Sequence, residues 1–280
     1  MSRLFGLFSS HPVNLSCNLS ASERSDSLIS IPAADGWGIG FFRNRASFLF
    51  KKAARPTGDQ PLTNISEVIS SNIFISHLRR ANIGERKEAN TQPFRWGNWL
   101  FAHQGMLTHF RKLKPRILRK LPAAYKKLIR GNTDSEHCFY LYLTMLRGEG
   151  AIKKGEIPLT AAVDGLITCG RVLHEICEDA EVEDFPTCNF LVTNGEYLLA
   201  ARLGDPLYYQ TRRRDDPADT KFFSKETGLQ YELRNLVEDM EFTVVSSEEL
   251  SASPDWQEIP DKHFISISSS QDISFTRWMD

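Results

Sequence analysis

The order of the secondary-structure signals limits this chain more than any other feature: strand-like runs come first, two helices follow, and strand-like runs return. The first eight residues, Met1 to Phe8, read as a short strand. A polar, Ser-rich stretch from Ser16 to Ser30 reads as loop. Ala34 to Phe42 resumes a strand pattern. Asn72 to Arg80 alternates, with Ile73, Ile75, His77 and Arg79 on one face and Phe74, Ser76 and Leu78 on the other. Trp96 to His103 is a further apolar strand, stopped by Gln104-Gly105. From Met106 to Arg130 the pattern is helical and basic, and Pro115 and Pro122 are expected to break or kink it. Thr133-Asp134-Ser135-Glu136 opens a helix through Arg147 that Gly148 ends. Leu159 to Ala180 repeats Val163, Leu166, Ile167, Val172, Leu173 and Ile176 near helical spacing. The last third is β again: a hairpin from Asn189 to Arg202 turning at Asn194-Gly195, then runs at Pro206–Thr211, Glu241–Ser246 and His263–Ser268. Strands, two helices and strands imply a layered α+β domain. No repeat and no interdomain linker interrupts it, so residues 2–280 are expected to form one domain.

Composition removes several function classes. The 280 residues carry a formal net charge of −1, so the overall field gives no reason to expect nucleic acid or an anionic membrane as partner. No run approaches the roughly 18 consecutive apolar residues of a membrane helix, and the apolar start is too short for a signal peptide. Five scattered cysteines (Cys17, Cys138, Cys169, Cys177 and Cys188) include no CxxC pair, and the seven histidines show no HExxH. A disulfide framework, a metal site and a cofactor are therefore not expected, and the chain reads as a reduced, cytoplasmic protein. The basic run Arg111–Arg130 reads as a solvated helical face.

Ser2 gains interest from its position. Initiator methionine is normally removed before a small residue, which leaves Ser2 at the amino terminus. Its hydroxyl and its own α-amine then lie a few bonds apart. That amine has an ordinary pKa of about 7.7–8.0, so part of it is free base at neutral pH. Nucleophile and general base would share one residue. Cys17, the other conceivable terminal nucleophile, would need removal of a propeptide, and Arg3–Phe5 already follow Ser2 in the expected way.

Six motifs then occur in order: Met1-Ser2-Arg3-Leu4-Phe5-Gly6, Asp35-Gly36-Trp37-Gly38-Ile39-Gly40, His77-Leu78-Arg79, Asn90-Thr91-Gln92-Pro93-Phe94, Phe101-Ala102-His103-Gln104-Gly105 and Thr133-Asp134-Ser135-Glu136. Ser247-Glu248-Glu249-Leu250, Trp256 and Pro260 follow. In this order the chain resembles the type 2 glutamine amidotransferases of the N-terminal-nucleophile hydrolase superfamily, and in length their stand-alone bacterial and fungal subgroup. It departs from them at three places. Ser2 stands where the family has a cysteine nucleophile, Gln104 where it has the oxyanion-binding Asn, and Gln92 where it has a His.

The resemblance implies a four-layer αββα sandwich with the active site at one end of the packed sheets. It also implies roles. Ser2 would be nucleophile; Gln104 and the Gly105 N–H would supply the oxyanion hole. Arg79 would hold the α-carboxylate and Asp134 the α-amine of glutamine or a γ-glutamyl compound. Each residue also has a structural reading: Arg79 as a buried ion-paired arginine, Thr133-x-x-Glu136 as a capping box, the glycines of Asp35–Gly40 as sites of close backbone approach. Gln carries its amide about one C–C bond further out than Asn, whereas sites require placement within about 0.5 Å. Ser2 and Gln104 together thus alter nucleophile and oxyanion hole at once. An amino-acid-binding protein without turnover, and an N-terminal-Ser amidase with another substrate, are the two alternatives. No synthase domain is present, so any use of released ammonia would need a separate synthase or acceptor protein.

Overall fold

The strand-forming runs pair into two antiparallel sheets. The computed structural model describes residues 2–19, 34–54, 69–80, 83–148, 157–183, 186–213, 220–223, 229–251 and 253–278. Among these, nine strands form one sheet: β1 (Arg3–Leu19), β2 (Gly36–Arg43), β3 (Ala46–Lys52), β4 (Ser70–Arg79), β9 (Tyr208–Arg213), β10 (Lys221–Phe223), β11 (Leu229–Arg234), β12 (Glu241–Ser246) and β13 (Gln257–Glu258). The other sheet has the order β15-β14-β8-β7-β6-β5, from Ile273–Arg277, His263–Ile267, Leu198–Arg202, Thr187–Thr193, Trp99–Met106 and Phe94–Trp96. Helices α1 (Phe110–Lys120), α2 (Ala123–Lys126), α3 (Asp134–Gly148) and α4 (Leu159–Asp179) join them.

Alternation along the strands decides the layering. Ile73 and Ile75 of β4, with Leu4 and Phe8 of β1, meet Leu100, Ala102, Leu191, Leu198, Ala200 and Ile265 of the second sheet in an intersheet core. Phe74 and Leu78, on the other face of β4, pack on the outer side with Phe5, Trp37 and Phe242. The opposite face of the six-stranded sheet (Phe101, Phe190, Val192, Phe264) is covered by α1, α3 and α4. The chain is thus an α+β sandwich. Among the described residues no helix covers the outer face of the nine-stranded sheet, so these residues form three of the expected four layers.

Four local readings change. Ser16–Leu19 are not loop but the end of a 17-residue strand, paired with Leu229–Glu232, and Ser16 is buried along with Val13 and Leu15 just before it. The rest of the Ser-rich stretch lies outside the described residues. Pro115 sits inside α1 without ending it. The strand expected over Trp96–His103 is two strands around Gly97 at φ 54°, and Gln104-Gly105 do not stop the second. They stay in register, opposite Asn189 and Cys188. Finally, β2 turns back into β3 through Asn44 and Arg45, both at positive φ, a two-residue turn without the usual glycine.

Candidate active site

The ends of β1, β4 and β6 and the start of α3 converge at one edge of the sandwich. They line a pocket of about 210 Å³ whose wall includes Ser2, Arg79, Gln104, Gly105 and Asp134, all five residues expected to form the site. The rest of its wall includes Gln92, His103 and Ser135 from the sequence motifs, and Arg80, Thr187 and Asp205, which were not singled out from sequence. Asp205 and Thr187 have no flanking motif that would reveal them.

Ser2 lies just before the first strand residue, and Arg3 pairs with Leu78 of β4. The Ser2 hydroxyl accepts from the Arg80 N–H at 3.0 Å and donates to the Arg80 carbonyl at 3.3 Å. The start of β1 is held from the far end of the sequence. Ser247 Oγ accepts the Leu4 N–H at 3.1 Å, the Ser247 N–H donates back to the Leu4 carbonyl at 3.2 Å, and Glu248 lies 3.1 Å from Arg3 Nε. The Ser-Glu-x-Leu motif is therefore an anchor for the residues next to Ser2.

Arg79 is 4 % exposed. Its Nη2 donates to the carbonyls of Ile83 (3.0 Å) and Gly84 (3.1 Å), which ties down the loop that walls the pocket. Its Nη1 is buried and has no hydrogen-bond partner. Burial pushes the guanidinium down from its ordinary value, and Asp35 and Asp134 oppose that. A buried cationic donor without an acceptor is costly, and an anion in the pocket would complete it.

Asp134 combines both of its readings. One carboxylate oxygen accepts the Leu107 N–H at 2.8 Å and the other accepts the Ser135 N–H at 2.8 Å, so the residue starts the helix and fixes the segment after Gly105. Four acceptor sites on a carboxylate leave it capacity for a ligand ammonium. Thr133 caps the helix through its Oγ1 to the Glu136 N–H at 3.3 Å. Glu136 does not close a reciprocal box. It accepts instead from the Arg130 (2.9 Å) and Gly131 (2.6 Å) N–H groups and holds the incoming turn.

Gln104 is 3 % exposed, and its Oε1 is buried without a partner. Gly105 has φ 133°, and a Cβ there would stand 2.0 Å from the Thr187 carbonyl oxygen. Only glycine fits this close approach, and it leaves the backbone bare at the pocket wall. The glycines of β2 follow the same logic: a Cβ on Gly38 would lie 2.2 Å from the Gln92 carbonyl oxygen.

Gln92 proves to be the organiser of this corner. Its Oε1 accepts the His103 N–H at 2.6 Å, while its Nε2 donates to the His103 carbonyl at 3.0 Å and to Ser135 Oγ at 3.2 Å. One side chain thus grips both backbone groups of the residue before Gln104. His103 Nδ1 lies 2.9 Å from Ser135 Oγ, and burial lowers its pKa. His77 is pushed down to about 3 by burial, by His103 and by Arg79. Both imidazoles are neutral at pH 7, so the charged side chains that line the pocket are Arg79, Arg80, Asp134 and Asp205. Among the described residues no cluster of His, Cys, Asp and Glu could hold a metal ion.

Comparison with known sequences and structures identifies the family of the chain. The family model described as "Glutamine amidotransferases class-II" matches residues 1–276. The chain is 26 % identical over 252 residues to the "Probable glutamine amidotransferase DUG3" of Saccharomyces cerevisiae, covering 83 % of this chain and 69 % of that one. It is 23 % identical over 236 residues to a "Gamma-glutamyl-hercynylcysteine sulfoxide hydrolase" of Mycobacterium tuberculosis, covering 84 % and 76 % of the two chains. A crystal structure described as that of a predicted glutamine amidotransferase from Pseudomonas aeruginosa superposes with a TM-score of 0.67 at 24 % identity, over 96 % of this chain and 98 % of that one.

Proposed function

Because this chain belongs to the class-II glutamine amidotransferases, we propose that it hydrolyses the side-chain amide of glutamine or a γ-glutamyl compound, with Ser2 in place of the cysteine nucleophile. With Met1 removed, the Ser2 α-amine takes the hydroxyl proton while Oγ attacks the amide carbon. Gln104 and the Gly105 N–H meet the oxyanion that forms. The amine then passes its proton to the departing nitrogen, and water releases the γ-glutamyl group from the ester. Arg79 holds the α-carboxylate, and Asp134 holds the α-amine. The observation that carries this reading is the unpartnered Nη1 of Arg79, buried in the same pocket wall as Ser2, Asp134, Gln104 and Gly105.

The amide substrate is a small molecule, and no cofactor enters the chemistry. Any use of the ammonia falls to a separate synthase or acceptor protein. A cytoplasmic location belongs to the same proposal, supported by the free buried thiols of Cys138, Cys169, Cys177 and Cys188. No helix among the described residues is long and apolar enough to cross a membrane.

A second reading has one observation in its favour. The Ser2 hydroxyl is engaged by both backbone groups of Arg80, which suits a protein that binds an amino acid without turning it over. A glutaminase assay on protein whose intact mass shows loss of Met1 separates the two. Hydrolysis is expected to release ammonia and to vanish in Ser2→Ala, while glutamine binding persists. Glutamine binding with no ammonia from the wild-type chain would leave only the second reading.

A further inference from the structure

His103 lines the pocket, yet the proposed reaction gives it no part. The residue is 2 % exposed, and its ring lies between two polar neighbours. Nδ1 stands 2.9 Å from Ser135 Oγ, and Nε2 stands 3.4 Å from the Thr187 carbonyl oxygen. Nε2 is also next to Gly105: a Cβ on that glycine would lie 3.1 Å from Nε2 and 2.0 Å from the Thr187 oxygen. Imidazole, carbonyl and glycine therefore meet at one point of the pocket wall.

The direction of each hydrogen bond follows from what its atoms can do. The His103 backbone N–H can only donate, so the Gln92 atom that meets it is Oε1, and Gln92 Nε2 is the donor to Ser135 Oγ. Ser135 Oγ thus receives one proton from Gln92 and has one of its own to give. The Thr187 carbonyl only accepts, so the ring nitrogen that faces it has to carry a proton. A neutral imidazole has one N–H, which leaves Nδ1 as the acceptor for the Ser135 hydroxyl. The other tautomer would send the Ser135 proton to Asp134 Oδ1 at 3.3 Å. It would also set the lone pairs of Nε2 and the Thr187 oxygen against each other in a buried place, which is costly.

We infer that His103, as its Nε2–H tautomer, is a positioning residue for the oxyanion side of the site: its ring holds the Thr187 carbonyl against Gly105 and so fixes the Gly105 backbone. The inference rests on the proposed hydrolysis. Gly105, at φ 133°, has no side chain to steady its peptide groups, so their orientation falls to its neighbours. Gln92 grips the backbone of His103 ahead of it, and Asp134 takes the Leu107 N–H beyond it. The His103 ring adds the third hold, on the strand alongside, where Thr187 pairs with Met106. Because Asp134 also accepts the Ser135 N–H, the oxyanion side and the amine-binding side of the proposed site share one hydrogen-bonded frame.

The test uses full-length protein whose intact mass shows loss of Met1. An Asn side chain puts its amide where Nδ1 stands, and a Gln side chain puts its amide where Nε2 stands. The two substitutions therefore keep opposite halves of the ring's bonding. His103→Asn keeps a partner for Ser135 and releases Thr187. It is expected to lower kcat for ammonia release from glutamine about tenfold or more, with KM nearly unchanged, because a misplaced oxyanion donor costs rate and not ground-state binding. His103→Gln keeps the donor to Thr187 and should recover most of that loss. In long-range proton–nitrogen NMR spectra of wild-type protein carrying isotope-labelled histidine, the ring signals missing from His103→Gln should report an Nε2–H imidazole at pH 7. An Nδ1–H or doubly protonated ring would overturn the inference and leave the hydrolase reading standing. So would equal kcat in the two variants, or an effect confined to KM. Absence of ammonia release from the wild type would remove the hydrolase reading and the positioning role with it.

Discussion

At the scale of single residues, the departures read from the sequence fall where the proposed chemistry is most sensitive to placement. Gln104 lies in the pocket wall with a buried, unpartnered Oε1, and its amide extends about one C–C bond further than an Asn would. An oxyanion donor is worth roughly 10²–10³ in rate when well placed. Gln104→Asn is therefore expected to raise kcat on glutamine by about tenfold or more, in steady-state ammonia release. A fall in kcat would show instead that Gln104 is fitted to this site. Gln92 is the complementary case. Its grip on both backbone groups of His103 fixes the strand just before the proposed oxyanion pair, and Gln92→Ala leaves a buried N–H and a carbonyl unpaired. Its kcat should drop about tenfold with KM nearly unchanged, since Arg79 and Asp134 are untouched; an effect confined to KM would contradict that positioning role. The five residues proposed for the site, which line one pocket, could be singled out because each sat in a short ordered motif. Gln92 was visible as a departure, but its role was not, because that role depends on backbone groups eleven residues away. Thr187 reaches the pocket through its pairing with Met106 and Asp205 through the bend after β8, long-range placements that single-sequence patterns do not encode.

Among elements, α1 shows where local rules mislead. Pro115 stands in an 11-residue helix that runs on through it. The helix tolerates it because the apolar residues Phe110, Leu113 and Ile117 bury one face against the six-stranded sheet and its helices, and tertiary packing outweighs one missing N–H. Proline still costs up to about 3 kcal/mol relative to alanine inside a helix. Pro115→Ala, at an exposed position, should raise stability by about 1–3 kcal/mol in chemical denaturation. An unchanged midpoint would mean that the helix start is already unwound there. The strands tell the converse story. Clean alternation made β4 readable, whereas β3 escaped because its turn, Asn44-Arg45, lacks glycine, and the Ser-rich end of β1 looked like loop although Ser16 is buried.

For the molecule as a whole, three buried imidazoles set a dependence on pH. Burial lowers the pKa values of His77, His103 and His137 from the ordinary histidine value in the folded state, that of His77 to about 3. The unfolded chain takes up protons at these residues below about pH 6.5 while the folded chain does not. Their effect is therefore nil above that pH, and stability is lost as pH falls from about 6.5 toward 3. The slope is at most about 1.4 kcal/mol per pH unit for each histidine. Urea midpoints should decline over that window, and His77→Gln should flatten the decline. A flat profile from pH 7 to 4 would show that the imidazoles reach water.

The grip of Ser247 and Glu248 on Leu4 and Arg3 also bears on synthesis. The residue proposed to begin the chemistry is among the first made, yet the strand and side chains that hold it come some 240 positions later. While the ribosome is at work, the nascent chain would carry Ser2, Arg79, Gln104 and Asp134 without a working pocket. A chain released early, short of β12, would be inert for the same reason, with every reacting group present and none in place.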